Sequence, residues 1–171
     1  METTLDLCPY QVAIVIGVDH KLQHFVQGLA PSHTRNILRL RFLDFLRDLT
    51  SRYPVEVICE ESKLGLESIA QTVAIQSAIR YWNIEMPARR RAELAIPTLY
   101  TSDVPGSEMP AEQKAKWTAL PESHLVDELL DAVAGAVVLI VICAVSHMPA
   151  LVQALQMKFR RVAQYDVTAM P

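Results

Sequence analysis

The stretch Val12-Ala-Ile-Val-Ile-Gly-Val-Asp-His20 decides the fold class of this chain. Its first seven residues are apolar, mostly β-branched and continuous, without the polar alternation of a strand that faces solvent on one side. Such strands are covered by helices on both faces, as in parallel sheets. A similar run, Val137-Val-Leu-Ile-Val-Ile-Cys143, lies late in the chain, and shorter candidates lie at 55–59 and 162–167.

Helical periodicity occurs between these runs. Apolar residues recur at three- and four-residue spacing in the stretches 38–49, 66–74, 125–133 and 151–159. Strands that alternate with helices predict an α/β fold, a three-layer sandwich with a mainly parallel central sheet.

The length of 171 residues fits a single α/β domain, residues 1–171. Residues 81–121 differ from the rest, since they contain prolines at positions 87, 97, 105, 110 and 121. We expect this Pro-rich helical insert to form a flap over the sheet edge.

Composition excludes several classes of protein. A net charge of -3 at pH 7 argues against nucleic-acid binding, and the five glycines form no phosphate-binding motif. The most apolar stretch, 132–145, is shorter than the roughly 20 residues that span a membrane. The N-terminus has no basic cluster of the kind found in signal peptides, and the three cysteines are an odd number. We therefore expect a cytoplasmic protein without a membrane partner.

Three of the predicted strands end in residues that can carry chemistry. The first ends in Gly-Val-Asp-His20, the late run ends in Ala-Val-Ser-His147, and the run at 55–59 is followed by Glu60 and Glu61. The carboxyl ends of parallel strands form the edge where α/β proteins bind ligands. If the three strands are neighbours, these side chains converge in one crevice.

Two imidazoles and a carboxylate are a common ligand set for zinc or manganese. The spacing therefore suggests His20, Glu60 and His147 as metal ligands, with Glu61 as general base, or the two glutamates in exchanged roles. The alternative is structural: a histidine at a strand end is often only hydrogen-bonded, and Asp19 and Ser146 are good helix caps.

Other polar residues could complete this crevice. If the chain is helical from Lys21 onward, Gln23 and His24 project to the same side as His20 and could be a further ligand or a substrate contact. The run Arg89-Arg-Arg91 is typical of a solvated helix face, but Arg90 or Arg91 could bind an anionic group, and Glu85 is a candidate partner.

The order of these elements resembles the erythromycin esterase/ChaN/TraB superfamily, which includes the Tiki metalloproteases. Gly17 to His20 matches the first G-x-x-H element of that group, whereas Ala144 replaces the usual glycine of the second element before His147. The resemblance covers roughly residues 12–155. It implies a site at His20, Glu60, Glu61 and His147, with Arg90 or Arg91 as the matching arginine, and this chain would be a minimal member.

These observations predict a divalent-metal-dependent hydrolase acting on a small-molecule or peptide substrate. A metal-free variant would use His20 as general base and the arginine to stabilise an oxyanion. The alternative from a different class is a non-catalytic module that binds a small anionic ligand or a partner protein. The sequence is compatible with a homo-oligomer.

Overall fold

The computed structural model describes residues 11–24, 34–62, 67–95 and 111–167, with only the backbone described for 111–118. Within these ranges the chain forms five strands, six helices and a 3-10 turn at Val145–His147. In chain order the strands and helices are β1 (Val12–Val18), α1 (His20–Gln23), α2 (Thr34–Arg52), β2 (Val57–Glu60), α3 (Ile69–Gln76), β3 (Arg80–Asn83), α4 (Ala88–Glu93), α5 (Ala111–Ala132), β4 (Val138–Ala144), α6 (Met148–Gln156) and β5 (Arg161–Asp166).

The strands form one sheet in the order β3-β2-β4-β1-β5, and every pairing is parallel. The predicted α/β sandwich is therefore confirmed. The two long apolar runs, β1 and β4, lie side by side in the middle of the sheet, where Ile14 pairs with Ile140. Both strands are almost entirely buried, because helices cover the two faces of the sheet.

Alternate residues of the central strands enter two separate cores. On one face, Ile14, Ile16 and Ile140 pack against α2 and α3. On the opposite face, Val15 and Val141 pack against α5 and α6. This pleat alternation explains why the runs are apolar at every position rather than at every second one.

β2 and β4 are neighbours in the sheet, and the connections that follow them lead toward opposite edges of the sheet. From β2 the chain passes through α3 on one face to the outer strand β3. From β4 it passes through α6 on the other face, in the opposite direction, to β5. Such a switch point opens a crevice at the carboxyl ends of the strands, where doubly wound proteins bind ligands.

The beginning of the predicted insert belongs to the sheet. Residues 80–83 form β3, an edge strand with alternating exposed and half-buried residues. The sequence reading missed it because it has four residues and two polar ends, and because it directly precedes the Pro-rich stretch. Pro121 lies inside α5. The centre of the predicted insert, residues 96–110, lies outside the described residues, so its placement as a flap stays a prediction.

A glycine and a proline stand at two of the helix boundaries. Gly135, just beyond α5, has a φ of 79°, a left-handed conformation that glycine adopts without strain. Pro149 lies in the first turn of α6, where its missing N–H is not needed. Among the described helices, none combines the length and the apolar composition that crossing a membrane requires.

Candidate functional site

Glu61, His147 and His20 meet at the switch point and are called here the His/Glu cluster. Glu61 follows β2, His147 ends the 3-10 turn after β4, and His20 begins α1 after β1. The Nδ1 atom of His147 lies 2.9 Å from each carboxylate oxygen of Glu61, and Nε2 of His20 lies 3.8 Å from Oε1 of Glu61. Because β2, β4 and β1 are neighbours, their ends bring together residues far apart in sequence.

Backbone and amide groups hold the cluster in place. The backbone N–H of Ala144 donates to Oε2 of Glu61 at 2.9 Å. The buried amide of Gln23 donates from Nε2 to the backbone carbonyl of Glu61 at 2.9 Å, and its Oε1 lies 2.7 Å from Nδ1 of His20. Since this oxygen can only accept, Nδ1 of His20 carries the proton. In the neutral ring, Nε2 of His20 therefore carries the lone pair, and it is the ring nitrogen that faces Glu61.

Glu61 and His147 favour each other's charged form. Burial alone would raise the pKa of Glu61, but the hydrogen bond and charge of His147, with the Ala144 amide, outweigh it and lower the pKa. The same hydrogen bond raises the pKa of His147 above its ordinary value, against the effect of burial. The Glu61 side chain is only 4% exposed, whereas that of His20 is 42% exposed, so solvent reaches the cluster from the His20 side.

Glu60 faces the opposite side of the sheet from Glu61, because consecutive residues of a strand alternate. Its Oε2 accepts hydrogen bonds from Ser68 Oγ at 2.5 Å and Tyr81 Oη at 2.7 Å. Burial raises the pKa of Glu60 to about 7, even though these hydrogen bonds lower it. The ligand set His20, Glu60 and His147 is therefore not brought together, and Glu61 occupies the position expected for Glu60.

One of the two candidate arginines pairs with a glutamate that lies near the cluster. Arg91 pairs with Glu85 and donates to the backbone carbonyl of Met86 at 3.3 Å. Burial is the main cause of the raised pKa of Glu85, and the charge of Arg91 opposes it while that of Glu61 adds to it. Glu85 is thus in electrostatic reach of the cluster, and Arg91 is its ion-pair partner. Arg90 instead pairs with Glu93 on the exposed surface of α4.

His24 does not continue the helix that begins at His20, since α1 ends at Gln23 and His24 is extended. Its Nε2 lies 3.3 Å from the Ser62 hydroxyl, and its Nδ1 lies 3.3 Å from the backbone carbonyl of Glu67. Gln23 therefore contacts His20, whereas the ring nitrogens of His24 contact Ser62 and Glu67. A role of Gln23 or His24 as a ligand or substrate contact stays a prediction.

Sequence reasoning missed several residues around the cluster. Ser68 and Tyr81 hold Glu60, and the charge of Glu122 on α5 helps to raise the pKa of His147. Tyr81 could not be found because its strand was not predicted. Glu122 carries no local signal, since it reaches His147 only through the packing of α5 near α6.

The residues as arranged do not form a ready metal site. In the part of the chain that the structure describes, no three His, Cys, Asp or Glu side chains stand so that they could hold a metal ion. Both oxygens of Glu61 are hydrogen-bonded to Nδ1 of His147, and Glu60 lies on the other face. Zinc or manganese therefore stays a prediction from the sequence.

The two described thiols are unsuited to nucleophilic chemistry. Cys59 and Cys143 are free and fully buried in the core between the sheet and α5 and α6. Burial raises the pKa of Cys59 to about 12 and also raises that of Cys143. Since the thiolate is the reactive form, neither cysteine competes with the His/Glu cluster as the chemical centre.

The fold and the His/Glu cluster together define a doubly wound α/β protein with ionisable side chains at its switch point. Comparison of the chain with protein-family models, curated proteins and solved structures gave no match. The similarity to the erythromycin esterase/ChaN/TraB superfamily therefore rests on the sequence motifs alone.

Proposed function

We propose that this chain is a hydrolase that activates water at the His/Glu cluster. The observation that carries the proposal is the position of one buried carboxylate, Glu61, between the imidazoles of His147 and His20 at the switch point of the sheet. A carboxylate that orients a histidine, with a second histidine open to solvent, is a common arrangement for proton transfer.

His20 is the proposed general base. Its Nδ1 donates to Gln23, so its Nε2 lone pair and the nearby Oε1 of Glu61 are both acceptors, 3.8 Å apart. A substrate water that donates to both atoms would keep an oxygen lone pair for attack. His20 would then take one proton of that water as the new bond forms.

His147 is the proposed general acid. Its hydrogen bond to Glu61 raises its pKa, so the protonated ring is available to donate to a leaving group. Arg91, which pairs with Glu85, would offset negative charge that develops on the substrate. This division of roles assigns the basic function to the exposed histidine and the acidic function to the paired one.

The proposed substrates are esters or amides of small molecules or peptides, as the superfamily resemblance also implies. Divalent-metal dependence remains part of the proposal to be tested, but no step is assigned to a metal because the ligands are not arranged for one. The absence of a membrane-spanning helix among the described residues and the two buried free thiols support a cytoplasmic location.

The test compares hydrolysis of a panel of chromogenic esters and amides by the wild type and by variants of the cluster. Glu61→Gln, His147→Ala and His20→Ala should each lower kcat/KM by about 10²–10⁴-fold, the usual range for general acid–base groups. Glu60→Gln is the matched control, because it removes the neighbouring carboxylate but keeps an oxygen for Ser68 and Tyr81, and it should retain most of the rate.

Three results would contradict the proposal. Turnover that is unaffected by Glu61→Gln would place the chemistry elsewhere, and so would equal losses in Glu60→Gln and Glu61→Gln. No turnover of any ester or amide by the wild type would reject the hydrolase itself. Metal analysis of protein purified without chelator tests whether the activity depends on a metal. A metal-dependent enzyme should take up about one equivalent of metal per chain, and His147→Ala should abolish this uptake.

A further inference from the structure

Gln23 is the last residue of α1, and both ends of its side-chain amide have partners in the His/Glu cluster. The residue is 0% exposed. Its Nε2 donates to the backbone carbonyl of Glu61 at 2.9 Å, and its Oε1 lies 2.7 Å from Nδ1 of His20. The buried amide therefore connects the end of β2 directly to the proposed general base.

The backbone carbonyl of Glu61 determines which end of the amide faces His20. A carbonyl oxygen can only accept, so the amide nitrogen of Gln23 must face it. The amide oxygen then faces His20 and accepts from Nδ1, which leaves the lone pair of the neutral ring on Nε2. In the described part of the chain, no other acceptor lies within hydrogen-bond distance of Nδ1. The tautomer of His20 therefore depends on this one amide.

The carboxylate of Glu61 favours the opposite tautomer. Its Oε1 lies 3.8 Å from Nε2 of His20, about 1 Å longer than a charge-assisted hydrogen bond. If the ring carried its proton on Nε2, it could move toward this charged acceptor and donate to it. A neutral imidazole in that state has no lone pair on Nε2 and cannot take a proton there. The hydrogen bond to Gln23 opposes this change.

Contacts on both sides hold α1, which has only four residues and is too short to be stable by itself. Asp19 caps the helix by accepting from the backbone N–H of Lys21 at 2.9 Å. Arg39 of α2 donates from Nη2 to the backbone carbonyl of Lys21 at 2.6 Å. Directly after the helix, His24 forms an antiparallel bridge with Ser68. The amide at the end of α1 is therefore held in one position.

We propose that Gln23 is a positioning residue, which holds the proton of His20 on Nδ1 and so keeps the lone pair of Nε2 available to accept a proton. Glu61 then acts on His20 twice. Its backbone carbonyl orients the amide, and its carboxylate faces the lone pair. The effect on catalysis rests on the proposed function, whereas the tautomer is a property of the chain without substrate and can be measured separately.

The first experiment identifies the protonated ring nitrogen of His20 in the full chain by two-bond proton–nitrogen NMR. Spectra are recorded at about pH 9, above the ordinary imidazole pKa of about 6.5, and His20→Ala assigns the signals. In the wild type, Nδ1 should carry the proton, and in Gln23→Met the proton should move to Nε2. Gln23→Glu should keep the wild-type tautomer, because a carboxyl group at this position still provides an oxygen for Nδ1.

The second experiment measures hydrolysis by the same variants. Gln23→Met should lower kcat/KM by about 10²–10⁴-fold, as His20→Ala does, because the ring loses its function as general base. The loss should appear in kcat more than in KM, since the buried amide acts on the ring. The double variant of His20→Ala and Gln23→Met should be no slower than His20→Ala alone, because a residue that acts through His20 adds nothing once His20 is removed.

Leu22→Ala is the matched control for general loosening of α1. Leu22 precedes Gln23, is 6% exposed and packs in the core, so its truncation weakens the packing of the helix without removing the amide. This variant should keep the wild-type tautomer of His20. The wild-type spectrum tests the proposal even if Gln23→Met does not fold.

Three results would overturn the positioning role. They are a proton on Nε2 of His20 in the wild type, a proton that stays on Nδ1 in Gln23→Met, and additive losses of kcat/KM in the double variant. If the tautomers are as expected but the wild type hydrolyses no ester or amide, the hydrolase is rejected while the control of the tautomer by Gln23 is confirmed.

Discussion

Strands β1 and β4 end in similar sequences, Gly17-Val-Asp-His20 and Ala144-Val-Ser-His147, but the two endings have different structures. After β1, Asp19 caps a helix by accepting from the backbone N–H of Lys21, and His20 begins that helix. After β4, residues 145–147 form a 3-10 turn without a capping side chain, so the expectation that Ser146 is a cap was wrong. Similar sequences thus bring their histidines to the cluster through different local structures, a capped helix after β1 and a 3-10 turn after β4.

The difference also explains why only one ending contains glycine. Val18 pairs with Ala144, so His20 lies two residues beyond the paired position and His147 lies three beyond it. The 3-10 turn that accommodates the additional residue passes over β1. A Cβ atom on Gly17 would lie 2.9 Å from Met148 Sδ and 3.2 Å from Val145 Cγ2. The glycine is therefore favoured by the close approach of the neighbouring segment, not by its own histidine.

The largest expected effect is a difference between the two histidines in how much each contributes to the free energy of unfolding. His147→Ala should lower the free energy of unfolding by about 1.5–3 kcal/mol, because it leaves the buried Glu61 carboxylate without its charged hydrogen-bond partner. His20→Ala should cost less than about 1 kcal/mol, because its ring is 42% exposed and 3.8 Å from Glu61. Urea unfolding at pH 6 measures both. Equal losses would mean that the two endings contribute alike.

The same stability difference should depend on pH. The pKa of Glu61 lies below its ordinary 4.5, so its contribution is present above pH 4.5 and is lost as the pH falls through the lowered pKa. The pKa of His147 lies above its ordinary 6.5, so its contribution is complete below pH 6.5 and is lost as the pH rises through the raised pKa. The difference between wild type and His147→Ala should be greatest between pH 4.5 and 6.5, and a maximum at pH 9 would refute the ion pair.

Substitutions of Gly17 and Ala144, the small residues of the two endings, test whether the segment after β4 packs closely over β1. Gly17→Ala should cost about 1–3 kcal/mol, as overpacking does, since its Cβ would displace Met148 and Val145. Ala144→Gly should cost only about 0.5–1 kcal/mol through added backbone freedom. Thermal unfolding compares them, and the order would be reversed if the glycine served its own ending instead.

The smallest expected effect concerns the two short polar residues. Asp19→Ala should lower the free energy of unfolding by about 1 kcal/mol, the usual cost of losing a helix cap. Ser146→Ala should change it by less than about 0.5 kcal/mol, because Ser146 is exposed and makes no cap. Chemical denaturation of both variants provides the measurement. A loss at Ser146 as large as that at Asp19 would indicate a cap that forms in solution.

The sequence was informative wherever burial on both faces demanded continuous apolar runs. It located β1 at Val12–Val18 and placed β4 within one residue of its bounds. It failed for β3, since an exposed edge strand of four residues needs no apolar pattern. It also left Glu60 and Glu61 as equal candidates. Strand pleating implies that they face opposite sides, but not which side carries His147.

The sequence by itself determined the α/β class and the strand ends at which polar residues stand, because apolar periodicity is a local property of the chain. Only the tertiary structure decided that β2, β4 and β1 are neighbours, that Glu61 rather than Glu60 meets the histidines, and that Arg39 is buried without enough partners. These outcomes depend on strand order and on which face each helix covers. Both are settled by contacts between residues far apart in sequence, which no local pattern records.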